Sequence, residues 1–400
     1  VLDNRLTLKL KSGYNTGILI DGETKIKKLK EGKTTRHEPI NFNLKMDNSK
    51  PMVSVLSVGG TISSSVDYAT GAISASYSAS QLVSSVPELA NFANIKTKKI
   101  LEEMSENIIP AHWKKIANEV YKELKESEGV IITHGTDTLS YTSSMLSFML
   151  KNLDKPVVMT FSQKSSDRGS SDAAMNMTCS AITATKDIAE VVVVGHGTMS
   201  DEYCLINRGT KVRKMHSSQR NAFRPINTLP IGKVYPNGEV DFLSNCRKKK
   251  DAKGDCYLDD KIEEKVAIIK SYPGLNPDII DFYIDKGYKG LVIEGTGLGH
   301  VNVGGKSLLP QIKRAIEKGI IVTMTTQTIY GKTNPFIYSA ARELSKQGII
   351  YLGDMLTETA YTKLMWVLGH TQNEKKVKKQ MLENLAGELN SKLEPEYFLY

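Results

Sequence analysis

Four hundred residues, 40% of them hydrophobic and 24% charged, exclude a disordered chain and leave room for two domains or three. No apolar run approaches the ~18–20 residues of a membrane helix, so no membrane partner is expected. The formal net charge of +9 comes from lysine spread along the chain, which reads as a solvated surface; the dense cluster Arg247-Lys248-Lys249-Lys250 reads as a loop, with an acidic partner such as RNA as the sharper alternative.

In chain order, residues 1–48 come first. Leu6-Thr7-Leu8-Lys9-Leu10 alternates with period two, Lys11–Asn15 reads as a turn, Thr16–Ile20 as a second strand and Asp21-Gly22 as the next turn. The expectation is a small β-barrel or sheet, too short for a core of its own, that packs on its neighbour or is incomplete. From Pro51 the pattern becomes strand, loop, helix. Strands are expected at Val53–Val58, Val130–Thr133, Val157–Phe161 and Val191–Val194. Helices are expected from Ala79–Pro87, at Ala111–Ser127 (Trp113, Ile116, Val120 and Leu124 at helical spacing), Thr138–Asn152 and Asp172–Lys186. Alternating helices and all-apolar strands predict a doubly wound, mostly parallel α/β sheet over 49–245.

Residues 225–262 are poor in periodicity, and 246–262 reads as a linker. A smaller α/β domain follows over 263–372, with strands Val266–Ile269, Gly290–Ile293 and Ile320–Met324 and helices Pro277–Lys286, Ser307–Lys318 and Pro335–Lys346. The tail, 373–400, reads as a charged helix from Asn373 to Asn390 that ends in Tyr397-Phe398-Leu399-Tyr400. Cys179, Cys204, Cys246 and Cys256 form no CxxC pair, so a zinc ribbon is not expected. Scattered thiols, and strand-like alternation where an export signal would stand, point to the cytoplasm.

Two stretches carry the chemistry. Val58-Gly59-Gly60-Thr61-Ile62 and Thr133-His134-Gly135-Thr136-Asp137-Thr138 each follow a β-branched apolar run. A buried strand ending in glycine and a hydroxyl residue sets that hydroxyl at the carboxyl edge of a sheet, where open α/β sheets bind ligands. Taken singly, each is equally a helix cap, with the hydroxyl satisfying free N–H groups and Asp137 favoured at a helix N-terminus. Together they suggest one site with two hydroxyls. A hydroxyl nucleophile needs a base. His134 is near in sequence, and a desolvated lysine such as Lys186 is the alternative; Lys186 is equally a cation at a helix C-terminus.

The two threonine motifs resemble the bacterial-type L-asparaginase family. Further segments are similar to the D-subunit family of archaeal glutamyl-tRNA(Gln) amidotransferases: Val66–Ala72, Ser165–Ala173, Met215-His216-Ser217-Ser218, Glu294–His300, Lys363–His370 and the N-terminal Leu8–Asn15. The resemblance spans nearly the whole chain. It implies an amidohydrolase acting on glutamine or asparagine, with Thr61 as nucleophile, Lys186 polarising Thr136, and Asp137 binding the substrate's α-amino group. Ser105 and Glu106 would grip the amino-acid backbone, and Tyr68 (with Tyr77 as rival) would activate Thr61. It implies no metal or cofactor in this chain. Ammonia would pass to a partner E subunit that uses ATP and magnesium to amidate Glu-tRNA(Gln), with this chain a homodimer inside a heterotetramer. A stand-alone cytoplasmic L-asparaginase and a catalytically weak scaffold subunit are the alternatives. Val58 stands where the family has threonine, Phe161 in Thr160-Phe161-Ser162-Gln163-Lys164 where it has glycine, and Gly169 where it has proline. These departures are expected to weaken the site while leaving its four catalytic candidates in place.

Overall fold

The computed structural model describes residues 5–9, 15–27, 46–60, 62, 64–66, 73–75, 80, 83, 85–165 and 170–400. The N-terminal segment contributes an antiparallel hairpin, β1 (Arg5–Lys9) with β2 (Asn15–Leu19). The rest of the barrel expected over 1–48 falls mostly outside the described residues.

The larger sheet begins with β3 (Met52–Gly59). A small pair follows, β4 (Ser64–Val66) with β5 (Ile73–Ala75), then β6 (Asn94–Glu103), α1 (Pro110–Leu124), β7 (Gly129–Thr133), α2 (Leu139–Met149), β8 (Leu150–Lys151), β9 (Val157–Thr160), α3 (Ala173–Ala184) and β10 (Val191–His196). The short strands β11 (Cys204–Arg208), β12 (Val212–Lys214), β13 (Phe223–Pro225), β14 (Gly232–Val234) and β15 (Val240–Phe242) close this part of the chain. The sheet order is β15-β14-β11-β10-β9-β7-β3-β6, parallel from β10 to β6 and antiparallel from β11 outward.

In the parallel part, the chain builds β6 on one side of β3 and then crosses to build β7 on the other. A doubly wound sheet of order 2-1-3-4-5 leaves a crevice where the winding reverses, at the carboxyl ends of its first and third strands. Here that crevice lies between β3 and β7. The sheet holds firm because successive strand residues feed opposite cores. Leu56, Val130, Ile132, Val157 and Met159 pack under α1 and α2, whereas Val53, Val55, Ile131, Val158 and Val192 pack under α3.

The stretch expected as a linker includes β16 (Tyr257–Leu258), which pairs back on β8 at the end of α2. The second sheet is all parallel, in the order β17 (Val266–Lys270), β18 (Gly290–Gly295), β19 (Ile321–Thr326), β20 (Ile350–Tyr351). Helices α4 (Asp278–Asp285), α5 (Leu309–Glu317) and α6 (Ser339–Lys346) lie along it; Ile280, Ile312 and Leu344 join the core of one face. Helix α7 (Thr357–Leu368), buried nearly all round, joins the other face to the core of the larger sheet.

Two strands or strand pairs add to these expectations and one expectation is corrected. Strand β6 was not foreseen, because its lysines face solvent at a sheet edge and break the apolar run: Lys96 pairs with Glu123 and Glu126, and Lys98 with Glu119. The 225–262 region, poor in periodicity, holds the short antiparallel strands β14 and β15. The charged tail is helical only as α8 (Glu374–Leu382). Beyond it the chain turns inward, where Glu388 is fully buried against Lys363 at 2.5 Å and accepts from the backbone N–H groups of Leu385 and Ala386.

Candidate active site

Close backbone packing builds the crevice. Gly59 and Gly60 leave β3 with φ of 121° and 76°, in the region that favours glycine. A Cβ on Gly60 would stand 2.4 Å from Gly135 Cα, and one on Gly135 would stand 2.7 Å from Ser105 Cβ. The loop after β3 thus meets the loop after β7 backbone to backbone, and the Ser105 side chain packs directly on Gly135.

Ser105 ties this junction. Its backbone carbonyl accepts from Thr138 Oγ1 at 2.6 Å, and its Oγ accepts from the Asp137 N–H at 3.2 Å. Thr138 precedes α2 but makes no side-chain cap to it, so the helix-cap reading of this hydroxyl does not hold. Thr136 and Asp137 then meet a lysine: Lys214 Nζ donates to Thr136 Oγ1 at 2.7 Å and to Asp137 Oδ1 at 2.7 Å. Thr136 is buried, the Lys214 side chain is 16% exposed and the Asp137 side chain is 62% exposed. So open an ion pair adds little stability; its value is geometric. At 2.7 Å the amine is placed to orient and polarise the hydroxyl, and the carboxylate beside it holds the amine in place.

The lysine of this constellation is Lys214, and the expectation of Lys186 is corrected. Lys186 follows α3 at the opposite, amino edge of the sheet, where its Nζ donates to the Gly238 carbonyl at 3.3 Å. It lines a cleft of about 580 Å³ with Pro51, Glu128 and Pro156, residues that lead into or lie beside the strand starts, away from Thr136. The physical reason is chain direction: α3 runs antiparallel to the strands it covers, so its last turn reaches their beginnings. Lys214 was missed because β12 is only three residues long. The available signal was its position just before Met215-His216-Ser217-Ser218, one of the resembling segments.

His134 is not the base. It is fully buried, its Nδ1 lies 2.7 Å from the Gly135 carbonyl and its Nε2 3.0 Å from Thr142 Oγ1, which accepts from Trp113 Nε1 at 3.0 Å. Burial pushes its pKa down to about 4, so near neutral pH the ring is uncharged. With Nδ1–H donated to Gly135 and Nε2 accepting from Thr142, both nitrogens are used. Of the other candidates, Ser105 is in the junction, Glu106 is exposed on the same turn, and Thr61 and Tyr68 (with Tyr77) lie outside the described residues. Among the described residues, no cluster of three or more His, Cys, Asp or Glu could hold a metal.

Residues 52–247 match the asparaginase N-terminal domain, and residues 265–381 match the glutaminase/asparaginase C-terminal domain. The D subunit of the glutamyl-tRNA(Gln) amidotransferase of Pyrococcus abyssi is 52% identical over 386 residues, 96% of this chain and 87% of that protein. Its counterpart from Methanothermobacter thermautotrophicus is 45% identical over 397 residues, 99% of this chain and 90% of that one. The chain belongs to the asparaginase family, in the branch of these amidotransferase D subunits. Among solved structures, the thermostable L-asparaginase from Thermococcus kodakarensis superposes with a TM-score of 0.76 at 35% identity, covering 85% of this chain and 100% of that one. The two-sheet architecture expected from the resemblance is therefore the family's own, and no helix among the described residues is long and apolar enough to cross a membrane.

Proposed function

We propose that this chain is the ammonia-releasing amidohydrolase subunit of a tRNA-dependent amidation enzyme, acting on glutamine or asparagine. The observation that carries this reading is the contact of Lys214 with both Thr136 and Asp137 at the switch point of the sheet. In this reading Thr61 is the nucleophile. Its oxygen adds to the side-chain amide carbon, its proton passes to the departing nitrogen, and ammonia leaves an ester behind. Water then cleaves the ester, giving the acid and restoring the hydroxyl. Thr136, polarised by Lys214, moves the protons, Tyr68 assists Thr61, and Ser105, Glu106 and Asp137 hold the amino-acid end of the substrate.

The subunit reading is favoured over a stand-alone asparaginase by coverage. The D subunits align over 96–99% of this chain, its N-terminal segment included, whereas the asparaginase structures span 84–85% of it. The intact lysine–hydroxyl contact favours catalysis over a pure scaffold. The finer proposal is a cytoplasmic homodimer within a heterotetramer. An E subunit there would use ATP and magnesium on Glu-tRNA(Gln) and consume the ammonia.

The test is ammonia release from glutamine and from asparagine, by the chain alone and then with E subunit, ATP, magnesium and Glu-tRNA(Gln). Strong stimulation by the full mixture is expected. Robust release from asparagine that ignores partner and tRNA would make it a stand-alone asparaginase, and silence in both settings would leave the scaffold.

A further inference from the structure

Resting on the amidohydrolase reading, we propose that Phe161 is a positioning residue for Lys214, acting through Phe223. Its buried aromatic ring is a brace for the lysine.

Strands β12 and β13, which carry Lys214 and Phe223, form a two-stranded sheet of their own, and among the described residues no ladder joins this hairpin to the main sheet. Backbone bonds fasten its base, Lys211 N–H to the Arg208 carbonyl and Ile226 N–H to the Lys211 carbonyl, and side chains hold the rest. Arg213 reaches Glu358 of α7 at 3.2 Å, and Arg224 donates to the Gly197 carbonyl at 3.0 Å. The third hold is apolar. Phe223 is 2% exposed and stands directly opposite Lys214 in the register, so the two side chains share a face. Its ring packs on that of Phe161 at a centroid distance of 4.3 Å. Phe161 is itself fully buried, and its far end lies on Gly195 of β10, where an added Cβ would stand 2.3 Å from the ring's Cζ. The ring thus fills the space between the main sheet and the hairpin.

The brace is fixed to the same backbone as the hydroxyl. The His134 N–H donates to the Thr160 carbonyl at 2.9 Å, Thr160 Oγ1 donates to the Val194 carbonyl at 3.1 Å, and Asn176 Nδ2 donates to the Phe161 carbonyl at 2.9 Å. The contacts close a ring: Thr136 to Lys214, Lys214 across the hairpin to Phe223, Phe223 to Phe161, and Phe161 through Thr160 and His134 back to Thr136. A shortened side chain at 161 opens that ring at its apolar link, and the Lys214–Thr136 distance is then no longer set.

The experiment uses Phe161→Leu in the full chain, with Phe161→Leu/Gly195→Ala as the rescue, because the added methyl falls where the ring end was. Amide hydrolysis by Phe161→Leu is expected to show kcat lowered about 10-fold with KM within about twofold, since misplacing a catalytic group costs turnover more than binding. The double variant is expected to recover most of the loss. Independently of activity, backbone amides of 212–225 are expected to exchange with solvent about 10-fold faster in Phe161→Leu, with those of β7 and β10 unchanged. A folded Phe161→Leu protein with unaltered kcat and hairpin exchange overturns the proposal, as does faster exchange spread over the whole sheet. If Phe161→Leu does not melt cooperatively, Phe161→Met gives the same readouts. If the parent chain releases no ammonia either alone or with E subunit, ATP, magnesium and Glu-tRNA(Gln), the amidohydrolase reading fails, and the exchange measurement still decides the brace.

Discussion

Each edge of the larger sheet presents a threonine, a lysine and an aspartate, and the two trios do different things. At the amino edge stand Thr185, Lys186 and Asp187, consecutive at the end of α3. The Thr185 hydroxyl turns back to the Ile182 carbonyl of its own helix, Lys186 donates to Gly238, and Asp187 accepts from the Lys249 N–H. All three are spent on ending a helix and fastening a loop, as hydroxyls and cations at helix C-termini usually are. At the carboxyl edge, Thr136 and Asp137 come from the loop after β7, and Lys214 arrives from a hairpin 77 residues on. There the winding reversal leaves backbone glycines in contact and a hydroxyl with an amine beside it. Of the first trio only Lys186 was a candidate, as the partner of Thr136; the contact with Thr136 and Asp137 is made instead by Lys214, brought there by the fold.

The comparison can be pressed with substitutions at matched positions. The largest effect is expected from Thr136→Val, which keeps the shape and removes the hydroxyl: ammonia release falls by about 10³-fold or more, while Thr185→Val stays within about twofold. Similar losses in both, in a steady-state ammonia assay, would erase the distinction between the edges. Next comes a pair of glycines. Gly135→Ala drives a methyl into Ser105 and is expected to lower turnover about 10²-fold. Gly129→Ala, at the amino edge, meets the Ala184 carbonyl at 2.2 Å and is expected to lower stability by about 1–3 kcal/mol in urea unfolding, with turnover of the folded fraction unchanged.

His134 sharpens the comparison through pH. Its imidazole is held at about 4 against an ordinary 6.5, so below pH 6.5 the unfolded chain binds a proton that the folded chain refuses. The group's contribution is complete above pH 6.5 and is lost as pH falls towards about 4. Between pH 6.5 and 5 the loss is about 2 kcal/mol at about 1.36 kcal/mol per unit. Urea midpoints at the two pH values should therefore fall less in His134→Asn than in the parent; equal falls would mean that the ring is not held neutral. The smallest effect is expected from Ser105→Ala. It removes the acceptor for the Asp137 N–H and should lower stability by about 1 kcal/mol, seen as a shifted urea midpoint with an unchanged slope.

Much of this architecture was legible in the residues. The mainly apolar strands β3, β7, β9 and β10 are buried on both faces, which their β-branched runs announced, and glycine followed by threonine marked the ends of β3 and β7. Strand β6 was hidden because an edge strand needs only one apolar face, and β12 because three residues carry no period. Thr136, Asp137 and Ser105 were found because they follow strands or a recognisable loop. Lys214 escaped because its position is set by a tertiary hairpin braced on Phe161 and Phe223, and no local pattern encodes such a brace. Phe161, expected to weaken the site, is fully buried and packs on Phe223 of the hairpin that carries Lys214, a contact between segments that no local pattern shows.

The most direct test of the central claim is ammonia release by Lys214→Met and Lys186→Met, side by side, each with its thermal melt. With Lys214 as the amine that polarises Thr136, Lys214→Met should lose about 10³-fold in kcat with an intact melt, and Lys186→Met should keep kcat within about twofold. Near-parental turnover in Lys214→Met, or its collapse in Lys186→Met alone, would contradict the account.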